Sequence, residues 1–453
     1  MVFSSISFLY YFLPLVLFFY FIVPNKFKNY ILLLFSLIFY FYGEPKYIIL
    51  MILEILICYY GSKFIKNNKY NLYILIFIHL LILFVFKYTN FIIFNINSLF
   101  NINFNFINIV LPIGISFYTF QIISYEIDVY RKDVEVQNDF FVLAMYISLF
   151  PQLVAGPIVR YSDICNDLYN RKCNFSDISY GIKRFIIGLS KKVLLANTLG
   201  EFCSVFNSYN DKTLIFYWMY GICFMLQIYF DFSGYSDMAI GLGKLFGFKF
   251  LENFNYPYLS QSITEFFRRW HISLGKWFKD YLYIPLGGNR YKLSRNILIV
   301  WILTGLWHGA SWNFIVWGLY CGIFILIEKK FLKKYIEKLP KMIQIFYTLF
   351  IIMISFIIFS GENMGVSFNN IVGLFNINNK IIDSFTLYNL RKYIVIILIG
   401  VISSTPIIKY IYKKYRNNFI FNFIEIFILF GLLMVCTAYL IDSSYNPFLY
   451  FRF

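Results

Sequence analysis

An all-α, polytopic transmembrane helical bundle is the fold class this sequence predicts, and three observations carry it. Hydrophobic residues make up 60% of the 453-residue chain and aromatic residues 23%, whereas charged residues reach only 14%. A soluble domain carries about 25% charged residues, so this chain cannot cover itself with a polar surface. Apolar windows long enough to cross roughly 30 Å of hydrocarbon recur along it. Short basic loops separate these windows, as expected of a protein oriented by its cytoplasmic lysines and arginines.

In chain order, spans are expected near residues 7–23, 30–42, 47–60, 71–86, 108–125, 140–154, 213–229, 296–307 with 314–327, 343–360, 393–407 and 423–440. Some are short, which sets the count at about ten to twelve, with one or two re-entrant or interfacial pieces. The first run is not expected to be a cleavable signal: it lacks a basic leader, and Pro24-Asn25-Lys26 follows it. Lys26 and Lys28, then Lys63, Lys66 and Lys69, then Arg131 and Lys132 fill the loops after the first, third and fifth spans. The intervening loops are poor in charge, so the amino terminus is expected to face outside. Beyond Phe150 a crowd of basic residues from Arg160 to Lys192 blurs this alternation, which reads as a re-entrant or tilted span. The polar stretch 361–391 is the largest candidate for an external loop.

The net charge of +17 does not indicate nucleic acid, because the basic residues lie in short loops between spans. There they mark the side that faces an anionic lipid surface. Seven scattered cysteines without a neighbouring histidine at ligand spacing read as small apolar fillers, with neither a metal site nor a disulfide framework expected. No soluble domain, repeat or long linker is evident, so residues 1–453 read as one integral-membrane domain.

Chemistry concentrates in the central third. Asp231, Ser233, Ser236 and Asp237, with Gly234, Gly241, Gly243 and Gly247, directly follow an apolar run. One reading is a capped helix start with glycine packing faces; together the residues suggest a re-entrant element. Next, Ser262 or Thr264 caps an expected amphipathic helix on which Trp270, Ser273, Leu274 and Trp277 recur at helical spacing. Arg268, Arg269, Lys276 and Lys279 make its other positions basic, so it is expected at the cytoplasmic interface. Its arginines suit either lipid headgroups or the phosphates of a donor. His271 on this helix is as well suited to a structural hydrogen bond as to catalysis.

The other two histidines differ in context. His79 lies in an apolar run without polar neighbours in sequence and reads as a core residue. His308 lies where two apolar runs meet, directly before the small-residue turn Gly309-Ala310-Ser311. An imidazole at membrane depth needs a partner, and such groups usually line a cavity or transfer path. His308 is therefore the expected reaction centre.

Several motifs in one order extend these readings: 111–121, 150–160 with Gly156-Pro157, 229–237, 267–271, 281–288, 303–309 and the terminal 446–453. The chain thereby resembles bacterial membrane-bound O-acyltransferases of the alginate O-acetylation type and is similar to peptidoglycan O-acetyltransferase membrane subunits. The likeness is densest over about residues 108–327 and weakest in the loops and over 361–391. It implies a bundle thinned around a central tunnel floored by re-entrant helices, in the bacterial cytoplasmic membrane. His308 matches the family's near-invariant histidine and His271 its second polar position, a histidine in this branch. The resemblance further implies acetyl-CoA as donor, a polysaccharide acceptor, and an extracytoplasmic SGNH-type O-acetyltransferase as partner; no bound cofactor is implied.

On that basis His308 is the expected general base. The amides of Gly309 and Ala310, or the Asn313 side chain, are candidates to stabilise the oxyanion. Asp231, Ser233 and Asp237 are candidates to orient an imidazole or line the tunnel. Arg268, Arg269 and Lys276, with Trp270, are donor-binding candidates. Three other classes compete: D-alanyl transfer to teichoic acid from a carrier protein, a transporter or flippase, and a structural scaffold. A transporter should show repeat symmetry, and a scaffold has no need of buried polar clusters.

Overall fold

The computed structural model describes residues 2–65, 68–153, 156–442 and 446, and every regular element among them is helical. The end of the sixth expected span at 154 and the terminal run 447–453 lie outside the described residues. Five described helices are long and apolar enough to cross a membrane: Lys69–Phe100, Leu214–Leu245, Lys341–Ser360, Ser384–Ser403 and Phe419–Asp442. Only 6% of the apolar window of Phe419–Asp442 is buried, which leaves a surface that lipid suits and water does not. The chain divides into two compact units, Met1–Phe185 with Ser236–Leu251, and Ile186–Tyr235 with Glu252–Phe453.

In the first unit, α1 (Ile48–Phe64), α2 (Lys69–Phe100) and α3 (Ile115–Arg131) pack together. The Asn68 side chain starts α2 by accepting the N–H groups of Tyr70 and Asn71. His79 on α2 is the core residue expected, and its polar company, absent from its own run, comes from the neighbouring helices. Its Nδ1 is 2.8 Å from Glu54 of α1, and its Nε2 is 3.2 Å from Glu126 of α3. All three side chains are fully buried. A carboxylate in this setting is tolerable only when paired, and the bridging imidazole supplies both pairings.

Two further helices complete the frame, α4 (Phe175–Ser190) and α5 (Leu214–Leu245). The α5 helix runs unbroken through the Asp231–Gly243 segment, so the expected re-entrant element and capped helix start are both corrected. Glycines let the helix backbones approach closely instead. Within the first unit, a Cβ on Gly241 would lie 2.7 Å from the Gly181 carbonyl oxygen. Within the second, a Cβ on Gly234 would lie 2.7 Å from that of Gly188. Small residues at such crossings are how membrane helices pack tightly, which offsets the roughly 1 kcal/mol that each glycine costs a helix.

In the second unit, α6 (Ile263–Arg269) and α7 (Ile272–Phe278) are followed by the hairpin of α8 (Leu293–His308) and α9 (Trp312–Ile327). Helix α10 (Lys341–Ser360) packs on α9. Gly305 and Gly318 bring the hairpin's helices together: a Cβ on either would collide with a carbonyl of the opposite helix, Phe314 and Trp301 respectively. This contact sets the turn after His308.

Glu54→Ala should destabilise the protein by about 3–5 kcal/mol, because it leaves His79 and Glu126 buried without their third partner. The midpoint of thermal unfolding in detergent should drop markedly, and less for Glu54→Gln, which keeps an acceptor. An unchanged midpoint in Glu54→Ala would show that the triad does not hold these helices.

Candidate active site

The expected amphipathic helix is interrupted at its centre. Ser262 starts α6 by accepting the Glu265 N–H at 3.0 Å, while Glu265 accepts the N–H of Gln261 at 2.8 Å. After Arg269 the chain extends through Trp270 and enters the left-handed region at His271, with φ 43° and ψ 55°. A second helix, α7, starts at Ile272. Histidine is among the residues that tolerate this conformation better than most, but it still carries strain that its surroundings must hold. The strap 253–255 does so. The Ile272 N–H donates to the Asn253 carbonyl and the Asn255 N–H to the Arg269 carbonyl, both at 2.9 Å. Backbone groups freed by the break are thus satisfied by the strap.

His271 is 3% exposed. Its ring stands perpendicular to that of Phe232 at 4.5 Å between centroids, and Trp307 lies 6.2 Å away. Its Nδ1 is 3.1 Å from Asn253 Oδ1. Burial, and next the nearby His308, hold its pKa well below the ordinary histidine range.

His308 ends α8 and is 6% exposed. Trp307, Trp317 and Phe359 surround it at centroid distances of 5.0, 5.1 and 5.3 Å, the last two nearly perpendicular. The turn to α9 needs glycine at 309, where a Cβ would collide with the Phe314 ring. Phe232, His271, Trp307, His308 and Trp317 form one continuous run of ring contacts, so the structure gathers both histidines into a single aromatic-walled region.

The other expected site residues are differently employed. The Gly309 N–H bonds the Gly305 carbonyl at 3.3 Å, continuing the helix ladder. Asn313 Nδ2 donates to the carbonyls of Ile358 and Gly361, at 3.2 and 2.9 Å, and to Ser367 Oγ at 3.0 Å. These donors tie the start of α9 to the end of α10 and the segment after it. Asp231 pairs with Lys192 at 2.5 Å, both nearly fully buried, and Ser233 is buried beside it in α5. Asp237 accepts from Arg184 Nη2 at 2.6 Å and Nε at 3.0 Å. Arg269 pairs with Glu265 at 2.6 Å. Trp270 is buried, stacked on Phe266 and edge-on to Phe254. Only Arg268 and Lys276 of the donor-binding candidates are exposed. Among the described residues, no group of three or more His, Cys, Asp or Glu side chains is arranged to hold a metal ion.

Sequence reasoning counted Lys192 and Arg184 only among the basic residues beyond Phe150, and passed over Asn253, Glu54 and Glu126. For Glu54 a signal was present, since a carboxylate inside an apolar run is itself a mark of a buried partner. Asn253 carries no such mark in a chain this rich in asparagine.

Membrane-length apolar helices and a buried pair of imidazoles define a polytopic membrane protein with two histidines in its interior. The chain belongs to the membrane-bound O-acyltransferase (MBOAT) family, whose model matches residues 135–368, and it is an acyltransferase. It is 38% identical over 406 residues to a probable alginate O-acetylase, AlgI, of Azotobacter vinelandii, covering 86% of this chain and 80% of that protein. It is 34% identical over 423 residues to a peptidoglycan O-acetyltransferase of Helicobacter pylori, covering 83% and 80%. A teichoic acid D-alanyltransferase of Bacillus subtilis is 29% identical over 280 residues, 56% of this chain and 70% of that protein.

Asn313→Ala should cost about 1–3 kcal/mol of stability, because buried carbonyls lose their donors. Activity per folded molecule should fall only a few-fold. A drop of about a hundred-fold with unchanged thermal stability would instead mark Asn313 as an oxyanion donor.

Proposed function

We propose that the chain takes acetyl from acetyl-CoA on the cytoplasmic side of a bacterial inner membrane and passes it across for O-acetylation of an envelope or extracellular polysaccharide. The observation that carries this reading is the burial of His308 and His271 in one aromatic-walled region. His308 acts as general base: it takes the proton of the accepting hydroxyl as that oxygen attacks the thioester carbonyl. The C–S bond then breaks, and the departing thiolate recovers the proton from the imidazolium. An apolar wall excludes water, which protects the thioester from hydrolysis.

Arg268 and Lys276 are offered as donor contacts because they are exposed at the interrupted helix. Lys329 joins them. Burial, and next the Arg268 guanidinium, lower its pKa, so two cations stand close enough to repel. A phosphate between them relieves that repulsion. The polysaccharide is reached through an extracytoplasmic SGNH-type acetyltransferase, in keeping with relatives named for alginate and peptidoglycan acetylation. D-alanyl transfer from a carrier protein is the rival within the same family, supported by a shorter, weaker likeness to the teichoic acid enzyme.

Base-labile acetate on purified envelope glycan fractions tests the reading, comparing the intact gene with His308→Ala at matched membrane abundance. One fraction should lose acetate, with transfer reduced about 10²–10⁴-fold. Unchanged acetate in every fraction would sink acetylation and bring D-alanylation or transport forward. In membranes supplied with acetyl-CoA, Arg268→Glu should raise the donor KM several-fold at nearly constant kcat. A fall in kcat alone would remove Arg268 from the donor site.

A further inference from the structure

We infer that Asn253 is a positioning residue that fixes the tautomer of His271, so that Nε2 is the basic nitrogen presented to the reaction. This rests on the reading of His271 as part of the transfer site. The argument begins with the orientation of the Asn253 amide. The Ser273 backbone N–H donates to its side-chain atom at 3.1 Å, and only a carbonyl oxygen accepts there. The opposite orientation would set an NH₂ group against an N–H. The same oxygen takes the Ser273 hydroxyl at 2.9 Å.

His271 Nδ1 lies 3.1 Å from that oxygen. An amide oxygen offers no hydrogen, so Nδ1 must carry one. Ser273 Oγ, 3.5 Å from Nδ1, already spends its hydrogen on Asn253 and agrees with this assignment. In the neutral ring Nε2 then holds the lone pair. Asn253, His271 and Ser273 are 0%, 3% and 3% exposed, so water does not compete for these bonds. The Asn253 carbonyl also holds Ile272, which anchors the same residue to the break in the helix by two independent bonds. Backbone and side chain of one asparagine thus set both the position of His271 and the nitrogen it presents. A partner that selects an imidazole tautomer in this way commonly changes activity 10–100-fold when removed.

The chain has only three histidines, so ¹⁵N-histidine labelling of the full-length protein in bilayers can read each ring by solid-state NMR. The His271 signals are those absent from His271→Gln. The wild type should show His271 protonated at Nδ1 and bare at Nε2. Asn253→Leu should spread it over both tautomers, while Asn253→Asp, which keeps the acceptor, should hold the Nδ1–H form. Membranes supplied with labelled acetyl-CoA should show a kcat about 10–100-fold lower in Asn253→Leu, with little change in donor KM. On the His271→Gln background the Asn253 substitution should have no further effect on the rate.

An Nε2–H tautomer in the wild type overturns the inference, and so does an unchanged tautomer in a folded Asn253→Leu. If Asn253→Leu does not fold, the wild-type and Asn253→Asp spectra still decide. The expected tautomer with full transfer activity in His271→Gln also overturns it, because Asn253 would then position a ring that the reaction does not use. That result leaves acetyl transfer itself standing, whereas loss of all acetate dependence on His308 would not.

Discussion

Two backbone hydrogen bonds, Ile272 to Asn253 and Asn255 to Arg269, allow a helix to be broken at a buried histidine. Without them the break would leave polar backbone groups unpaired beside the buried His271, which costs free energy. With them, His271 adopts a left-handed conformation and turns off the helix path. An unbroken helix would carry residue 271 onward as one more position of an interfacial surface. The interruption makes it a buried ring beside Phe232 and Trp307.

His308 reaches the same region by a different device. Gly305 and Gly318 remove the side chains that would hold α8 and α9 apart, and Gly309 makes room for Phe314 in the turn. The imidazole at the end of α8 is then enclosed by Trp307, Trp317 and Phe359. Asn313 fastens the start of α9 to the end of α10 and the segment that follows. Charge is handled separately. Asp231 and Asp237 pair with Lys192 and Arg184, and Glu54 and Glu126 share His79, so each of these four carboxylates has its own partner.

The all-helical membrane class was legible because composition and hydropathy are averages over many residues, and the solvent acts on all of them alike. His308 and its turn were legible because an imidazole between apolar runs is locally anomalous. The Ser262 cap was legible for the same local reason. Pairings across helices were not: Lys192 and Asp231 are 39 positions apart, and no periodicity links them. The break at His271 was hidden because Trp270, Ser273, Leu274 and Trp277 keep helical spacing across it. What ends the helix is Asn253 and its strap, contributed from 18 positions earlier. The glycines of α5 misled in the other direction, since glycine signals a break and a close helix crossing with the same letter.

The central claim is that His271 and His308 serve one reaction in one buried region. A double-mutant cycle on acetyl transfer tests it most directly, with His271→Ala, His308→Ala and the double variant compared at matched membrane abundance. Residues that act as a unit lose their function together. The double variant is expected to be no slower than the slower single variant. Losses that multiply would mean that the two histidines act in separate steps, and would contradict the account.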